Sequence, residues 1–270
     1  MIPTLSSRNP ADAAQRIRDY TSLPAVPRAS DLHRVIRLMG AEVHTFARGS
    51  GVAGRTEPTQ DPPAESHRKA KCSNASWSVS TEHGLPLTRL RFTLAHEIGH
   101  LVLRMSDMTI PKEEPWCNEF AAELLMPQES VKNRYQTLPH TAGTVQSLSG
   151  HAQVSFNAAF VRLNTLLGWK KSLITLELID RRWCVADMLL ATTAVHYRLD
   201  LAASIRDAMS PSSDESIWIP FRFQRETIEI LCEYVHVSTR RRKLIYDRDP
   251  VDRICRQIDR ETRCSADQVG

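Results

Sequence analysis

The run RFTLAHEIGHLVL, Arg91 to Leu103, constrains the fold more than any other stretch of the chain. It places His96, Glu97 and His100 inside a segment whose other residues are almost all apolar. In an α-helix, residues four apart lie on one face about one turn apart, so both imidazoles can point at one position in space. Burying titratable groups is costly unless they are paired or bind a metal ion. The run therefore predicts a largely buried helix that carries a polar site.

The spacing of the two histidines is the one that a zinc-binding helix uses. His96 and His100 would supply two nitrogens to a tetrahedral zinc ion. A catalytic zinc lowers the pKa of its bound water toward about 7, and a carboxylate beside it accepts the water proton. Glu97 lies where such a general base is needed. The competing interpretation is a pair of hydrogen-bonded core histidines with a surface glutamate, so the presence of a third ligand decides between the two.

The segment EPWCNEFAAELLMP, Glu114 to Pro127, offers that ligand. Glu114 begins a predicted second helix, and Asn118 follows one turn later, where it can hydrogen-bond the outer nitrogen of a ligand histidine. Glu113, Glu119 and Glu123 compete with Glu114 for the role of third ligand. Residue spacing alone leaves that choice open.

The two segments together resemble the ImmA/IrrE family of metallo-endopeptidases. The family pattern is His-Glu-x-x-His, then Glu-x-x-Ala-Asn/Asp-x-Phe-Ala, then Leu-Leu-Met-Pro, and the match is strongest over residues 88–127. The chain departs from it at Cys117, where the family usually has alanine. Carried over position by position, the resemblance implies zinc ligands at His96, His100 and Glu114, and a general base at Glu97.

The resemblance also implies a function. Members of the family are regulatory proteases, so we expect a zinc-dependent, site-specific endopeptidase that cleaves a helix-turn-helix repressor and thereby switches on stress-response or mobile-element genes. The alternative is a non-catalytic regulator that binds DNA or senses a ligand and retains a structural zinc site. A purely structural zinc site does not need Glu97, so that residue favours the enzyme.

For the fold we expect an α+β chain. Residues 1–127 would form a zincin-like metallopeptidase domain with a small antiparallel sheet, the His-Glu-x-x-His helix and the glutamate-bearing helix, interrupted by a flexible loop over 48–75. A helix-turn-helix-like module at 128–170, a β-rich region at 171–246 and a charged tail at 247–270 would follow. Alternating apolar residues in SLITLELID, SIWIPFRF and TIEILCEYVHV predict strands in the β-rich region.

Two further sets of residues have weaker interpretations. Residues 153–167 contain one basic side chain, Arg162, so direct DNA binding by the helix-turn-helix-like module is possible but not favoured. The basic run RRRK at 240–243 is expected to be a solvated turn. Candidates by residue type for stabilising the oxyanion are Tyr135, His140 and His151.

Composition restricts the cellular setting. The six cysteines include no CxxC pair, as is typical of reduced thiols and not of a disulfide framework. No run of about 18 uncharged apolar residues exists that could cross a membrane. The net charge of +4 permits contact with nucleic acid but does not argue for it. We therefore expect a cytoplasmic protein without a membrane partner.

Overall fold

The computed structural model describes residues 7–49, 51–59, 77–106, 108–179, 182–189, 216–223 and 226–247. These residues form seven α-helices and eight β-strands. The helices are α1 (Pro10–Thr21), α2 (Ala29–Leu38), α3 (Leu87–Met105), α4 (Glu113–Leu125), α5 (Gln128–Tyr135), α6 (Ala142–Ala152) and α7 (Phe156–Leu167). The strands are β1 (Ala41–Phe46), β2 (Gly54–Pro58), β3 (Trp77–Glu82), β4 (Lys171–Ile179), β5 (Arg182–Leu189), β6 (Ser216–Phe223), β7 (Glu226–Ser238) and β8 (Arg241–Asp247).

The chain divides into two compact units. The first unit contains residues 1–136 and 147–162, and the second contains 137–146 and 163–270. Of the three boundaries between the units, one lies just after α5, and the other two fall inside α6 and α7. The mixed content of helices and small sheets is compatible with the predicted zincin-like domain. No helix among the described residues is long and apolar enough to span a membrane.

The first unit contains a three-stranded sheet in the order β1-β3-β2. Strand β2 runs antiparallel to β3, but β1 runs parallel to it, with Val43 opposite Val79. The prediction of a purely antiparallel sheet is therefore wrong. Parallel pairing needs a long connection between the paired strands, and the thirty residues between β1 and β3 provide it. Strand β2 lies within that connection and occupies the other edge of β3.

Strand β2 also corrects the prediction of a flexible loop over residues 48–75. Residues 54–58 pair with β3, so that Thr56 lies opposite Val79. Glycine, proline and charged residues are disfavoured in strands, which is why the sequence GRTEP carries no strand signal. The part of the predicted loop at residues 60–75 lies outside the described residues.

Helices α3 and α4 are present where the sequence predicts them. Pro86 precedes α3 and Pro127 follows α4, and proline at these positions fits the start and the end of a helix. The two helices pack closely at Gly99, where an added Cβ would lie 3.3 Å from the Cα of Cys117. This close approach brings the first turn of α4 to the polar face of α3.

Buried apolar side chains from four helices form the core of the first unit. Those fully excluded from solvent include Ala13, Ile17, Leu32, Ile36, Leu94, Ile98, Leu101, Val102, Phe120 and Leu124. The indole of Trp116 is stacked on Phe120, with ring centroids 5.4 Å apart. The apolar positions of α3 and α4 thus face this core, which leaves their polar faces to meet on one side.

Two buried arginines connect α3 and α4 to residues 152–162 within the first unit. Arg91 of α3 is fully buried and donates hydrogen bonds to the carbonyls of Pro27, Ala152 and Gln153. Since Ala152 ends α6, the guanidinium lies at the negative end of that helix dipole. Arg162 of α7, buried in the same unit, likewise contacts the end of α4.

The second unit contains a five-stranded sheet in the order β5-β4-β8-β7-β6, with every neighbouring pair antiparallel. Strands β5 and β8 carry no clear signal in the sequence. The expected solvated turn at RRRK is wrong for most of the run, because β8 begins at Arg241, and Arg242 and Lys243 are each only 8% exposed. Residues 248–270, predicted as a charged tail, lie outside the described residues.

Candidate metal centre

One face of α3 opens into a cleft of about 670 Å³ in the first unit. His96, Glu97 and His100 all line it, as does Glu114 from α4. Residues 51–56, at and before β2, form part of the opposite wall. The structure therefore brings together, in one cleft, the four residues for which the sequence predicts metal-binding and catalytic roles.

The ligand atoms of the two histidines and Glu114 converge. The Nε2 atoms of His96 and His100 lie 3.1 Å apart. The Glu114 carboxylate places one oxygen 3.3 Å from His96 Nε2 and the other 3.2 Å from His100 Nε2. Each imidazole is about 15% exposed, whereas the Glu114 side chain is 69% exposed. These three residues form a group able to hold a metal ion.

The residues present fit a divalent ion such as zinc. Zinc–nitrogen and zinc–oxygen bonds of about 2.0–2.1 Å in tetrahedral geometry place neighbouring ligand atoms about 3.3 Å apart. The separations of 3.1–3.3 Å observed here agree with that value. Two imidazole lone pairs and a carboxylate brought this close repel one another unless a cation or a proton lies between them. The donor set therefore favours a metal ion.

Hydrogen bonds to the outer ring nitrogens orient both imidazoles. His96 Nδ1 lies 3.0 Å from Asn118 Oδ1, and His100 Nδ1 lies 2.7 Å from Glu113 Oε1. Because both acceptors are oxygens, each Nδ1 carries the proton and each Nε2 keeps its lone pair for a ligand. Asn118 thus lies beside the outer nitrogen of a candidate ligand histidine, as the sequence predicts.

Glu113, which the sequence offers only as a competing third ligand, lies instead behind the ring of His100. It contacts the outer nitrogen of His100 and forms an ion pair with Arg104, whose Nη2 lies 2.6 Å from Glu113 Oε1. Burial alone would raise the pKa of Glu113, but the hydrogen bonds from His100 and Arg104 outweigh it and lower that pKa. Glu113 therefore remains an anion that holds the imidazole.

Glu97 is buried beside the two imidazoles, with 5% of its surface exposed. The hydroxyl of Thr56 in β2 donates a 2.8 Å hydrogen bond to Glu97 Oε2. Burial raises the pKa of Glu97, while the hydrogen bond from Thr56 and the nearby histidines act in the opposite direction. A buried carboxylate held in one orientation within a cleft has the features of a general base.

Gly54 allows β2 to approach α3 closely. A Cβ at this position would lie 2.5 Å from Thr93 Cγ2 and 2.7 Å from Glu97 Oε1. Any larger residue would therefore displace β2 or the Glu97 carboxylate. Neither Gly54 nor Thr56 is among the predicted site residues, because both belong to a segment for which the sequence predicts a loop.

The other glutamates of α4 that compete for the third ligand position lie elsewhere. Glu119 is exposed, and Glu123 is buried in an ion pair with Arg162. The three oxyanion candidates also lie away from the described lining of the cleft: Tyr135 and His151 border a small separate cavity, and His140 stacks on Trp169.

Cys117, the departure from the family pattern, is fully buried against Gly99. Burial, reinforced by nearby carboxylates, raises the pKa of its thiol to about 12. A protonated thiol is a poor metal ligand, so Cys117 has the properties of a core residue.

Comparisons with known proteins include a family model that matches part of the chain. Residues 62–164 match the family model of the IrrE N-terminal-like domain, Peptidase_M78. No curated protein sequence matches the chain. Among solved structures, a Mycobacterium tuberculosis transcriptional regulator is similar with a TM-score of 0.47 and 12% sequence identity, covering 90% of this chain and 77% of the other.

Proposed function

We propose that the chain, whose residues 62–164 match the family model of the IrrE N-terminal-like domain, is a zinc-dependent, site-specific endopeptidase of the ImmA/IrrE type. The observation that carries the proposal is the convergence of His96 Nε2, His100 Nε2 and the Glu114 carboxylate within 3.1–3.3 Å of one another. The buried carboxylate of Glu97 lies in the same cleft. Together they supply three metal ligands and a general base.

In this mechanism His96, His100 and Glu114 hold the metal ion, and Glu97 is the general base. Zinc, when bound, polarises the peptide carbonyl and lowers the pKa of a water molecule. Glu97 would accept a proton from the attacking water and pass it to the nitrogen of the departing amine, while Thr56 fixes the orientation of its carboxylate. Asn118 and Glu113 keep the two imidazoles in the tautomer and orientation that ligation requires.

For the substrate we propose a helix-turn-helix repressor, as the family resemblance implies, with the protease acting in the cytoplasm. Cleavage would then release the genes that the repressor controls. Recombinant protein loaded with zinc should cut its target helix-turn-helix repressor at one site or a few sites. A general protein-degrading enzyme would instead convert casein into many fragments.

The alternative, a regulator that binds DNA without cleaving protein, draws less support from the residues. Arg162 is the basic side chain of the expected recognition helix, and it is buried against Glu123 and the Met126 carbonyl. A buried guanidinium with these partners is not available to a phosphate. Glu97 in turn has a catalytic arrangement that a structural zinc site would not need.

The substitution Glu97→Gln separates the two functions. Under the proposal the variant retains about one zinc per chain, measured by elemental analysis, and loses at least about a thousandfold in cleavage rate, as removal of an essential proton acceptor does. Glu129→Gln, at an exposed position on α5, removes the same charge and should cleave at the wild-type rate. Full cleavage by Glu97→Gln would refute the protease mechanism, and tight duplex binding at physiological salt would favour the regulator.

A further inference from the structure

The cleft of the candidate metal centre is lined by more cations than anions. Three arginines border it, Arg55 from β2 and Arg89 and Arg104 from α3, against the carboxylates of Glu97 and Glu114. The proposed function assigns both carboxylates, one as the general base and the other as a metal ligand. The charged side chains of the cleft that remain for contact with a bound polypeptide are therefore the arginines.

The three arginines differ in their partners. Arg104 is held by both carboxylate oxygens of Glu113, at 2.6 and 3.1 Å. Arg55 lies 3.5 Å from Glu57 in an exposed pair, and such pairs are weak. Arg89 is exposed and has no hydrogen bond or ion pair with any residue that the structure describes. Its guanidinium can therefore bind a ligand without breaking an interaction with any of the described residues.

Arg89 also lies on the same face of α3 as His96 and His100, a few peptide residues away from them. It precedes His96 by seven residues and His100 by eleven, spacings that place all three on one face of α3. A rise of 1.5 Å per residue sets Arg89 about 10 Å along the helix axis from His96, a span covered by about three residues of extended peptide. The first turn of α3 contains no acidic residue, so the helix dipole adds to the positive potential there.

We infer that the cleft selects polypeptide segments with an aspartate or glutamate about three residues from the cleaved bond, and that Arg89 binds this side chain. The guanidinium can form two parallel hydrogen bonds with a carboxylate, which gives directional recognition as well as charge attraction. Val52 and Phe92 line the same cleft and offer apolar contact to neighbouring side chains. The inference rests on the proposed function, because it concerns the substrate of the same site.

The test is cleavage of a random decapeptide library by the zinc-loaded full chain, with cut sites mapped by mass spectrometry. We expect aspartate and glutamate to be enriched at least about threefold at one fixed position on one side of the cut. Arg89→Gln should abolish this enrichment, and Arg89→Lys should retain part of it because the charge is kept. Arg37→Gln is the matched control, because Arg37 is exposed on α2 and is not among the residues that line the cleft.

Cleavage without acidic enrichment, or with enrichment that survives Arg89→Gln, would overturn the inference and leave the proposed protease intact. Absence of cleavage by the wild type would count against the proposed function instead.

A binding measurement with the Glu97→Gln chain tests the inference separately from cleavage. A fluorescein-labelled decapeptide of alternating alanine and glutamate should bind about tenfold more tightly than the same peptide with glutamine in place of glutamate. Equal binding of the two peptides would refute the selection of acidic segments. A preference for the glutamate peptide that survives Arg89→Gln would refute the role of Arg89.

Discussion

The hydroxyl of Thr56 lies 2.8 Å from the carboxylate of Glu97, although 41 residues separate them in the chain. The same hydroxyl lies 3.3 Å from the Glu97 backbone carbonyl. These contacts connect β2 to the turn of α3 that carries the general base. Strand β2 is therefore part of the site and does not merely border it.

Thr56→Val should slow cleavage by about tenfold. A hydrogen bond to a charged group contributes about 1.5–3 kcal/mol, and we expect the lower end of that range because Thr56 is only partly buried. The loss should appear in kcat, since the substitution leaves the carboxylate in the cleft but releases its orientation. Initial rates on the fastest-cleaved library peptide measure the effect. Thr56→Ser keeps the hydroxyl and should recover most of the rate; a Thr56→Val variant as fast as wild type would show that the hydrogen bond has no role.

Gly54→Ala should disrupt the site severely, although the substitution adds only one methyl group. The new Cβ would meet Thr93 and Glu97 at 2.5 and 2.7 Å, so β2 or the Glu97 side chain must move. We expect a destabilisation of about 1–3 kcal/mol and loss of most cleavage activity, measured by thermal unfolding and peptide hydrolysis.

The matched control for this substitution is Gly143→Ala. An added Cβ at Gly143 meets nothing closer than 3.8 Å, and this residue lies in α6, where alanine is favoured over glycine. Gly143→Ala should therefore retain activity and unfold at the same or a higher temperature. If both alanine variants behave alike, the close approach at Gly54 is not a requirement of the site.

The parts of the fold that the sequence predicts are those set by local periodicity. Helices α3 and α4 agree with prediction because apolar residues recur at helical spacing, and a proline lies just before α3 and just after α4. The convergence of His96 and His100 follows from their four-residue separation alone. For Glu114, the resemblance to a family was needed in addition, because three other glutamates lie nearby in the sequence.

The features that the sequence does not predict depend on contacts between distant segments. Glu113 and Glu114 are adjacent in the first turn of α4, and the packing of α4 on α3 decides which of them faces the ligand atoms and which faces the outer nitrogen of His100. Thr56 and Gly54 enter the site only because β2 pairs with β3. The parallel pairing of β1 with β3 depends likewise on the course of the connection between them.

Removal of the metal should lower thermal stability. Zinc at 100 times its dissociation constant stabilises the folded state by about 2.7 kcal/mol, which in a chain of this size corresponds to about 5–10 °C in Tm. Dialysis against a chelator, followed by calorimetry, measures the decrease. Glu114→Gln should bind less than half as much zinc as the wild type and show a smaller decrease, whereas Glu119→Gln should behave like the wild type. A chelator that leaves Tm unchanged would show that no stabilising metal is bound.

The ion pair between Glu123 and Arg162 should be important for the stability of the first unit. The two side chains are only 9% and 5% exposed, and Arg162 also donates hydrogen bonds to the Met126 carbonyl. Removing one partner of a buried ion pair leaves the other charge buried and unpaired, which lowers the free energy of unfolding by about 3–5 kcal/mol. Glu123→Leu should therefore lower the free energy of unfolding by that amount in urea titrations, since the Arg162 guanidinium would remain buried.

The double variant Glu123→Leu/Arg162→Met tests whether the instability of Glu123→Leu comes from the unpaired charge of Arg162. Replacing a buried ion pair by apolar residues of similar size is often neutral or stabilising, so the double variant should recover most of the stability that Glu123→Leu loses. Its zinc content should match the wild type, because neither residue contacts the metal-site histidines in the described structure. If the double variant is as unstable as Glu123→Leu, the stabilising contacts are the hydrogen bonds from Arg162 to the Met126 carbonyl and from the Gln128 N–H to Glu123, and not the paired charges.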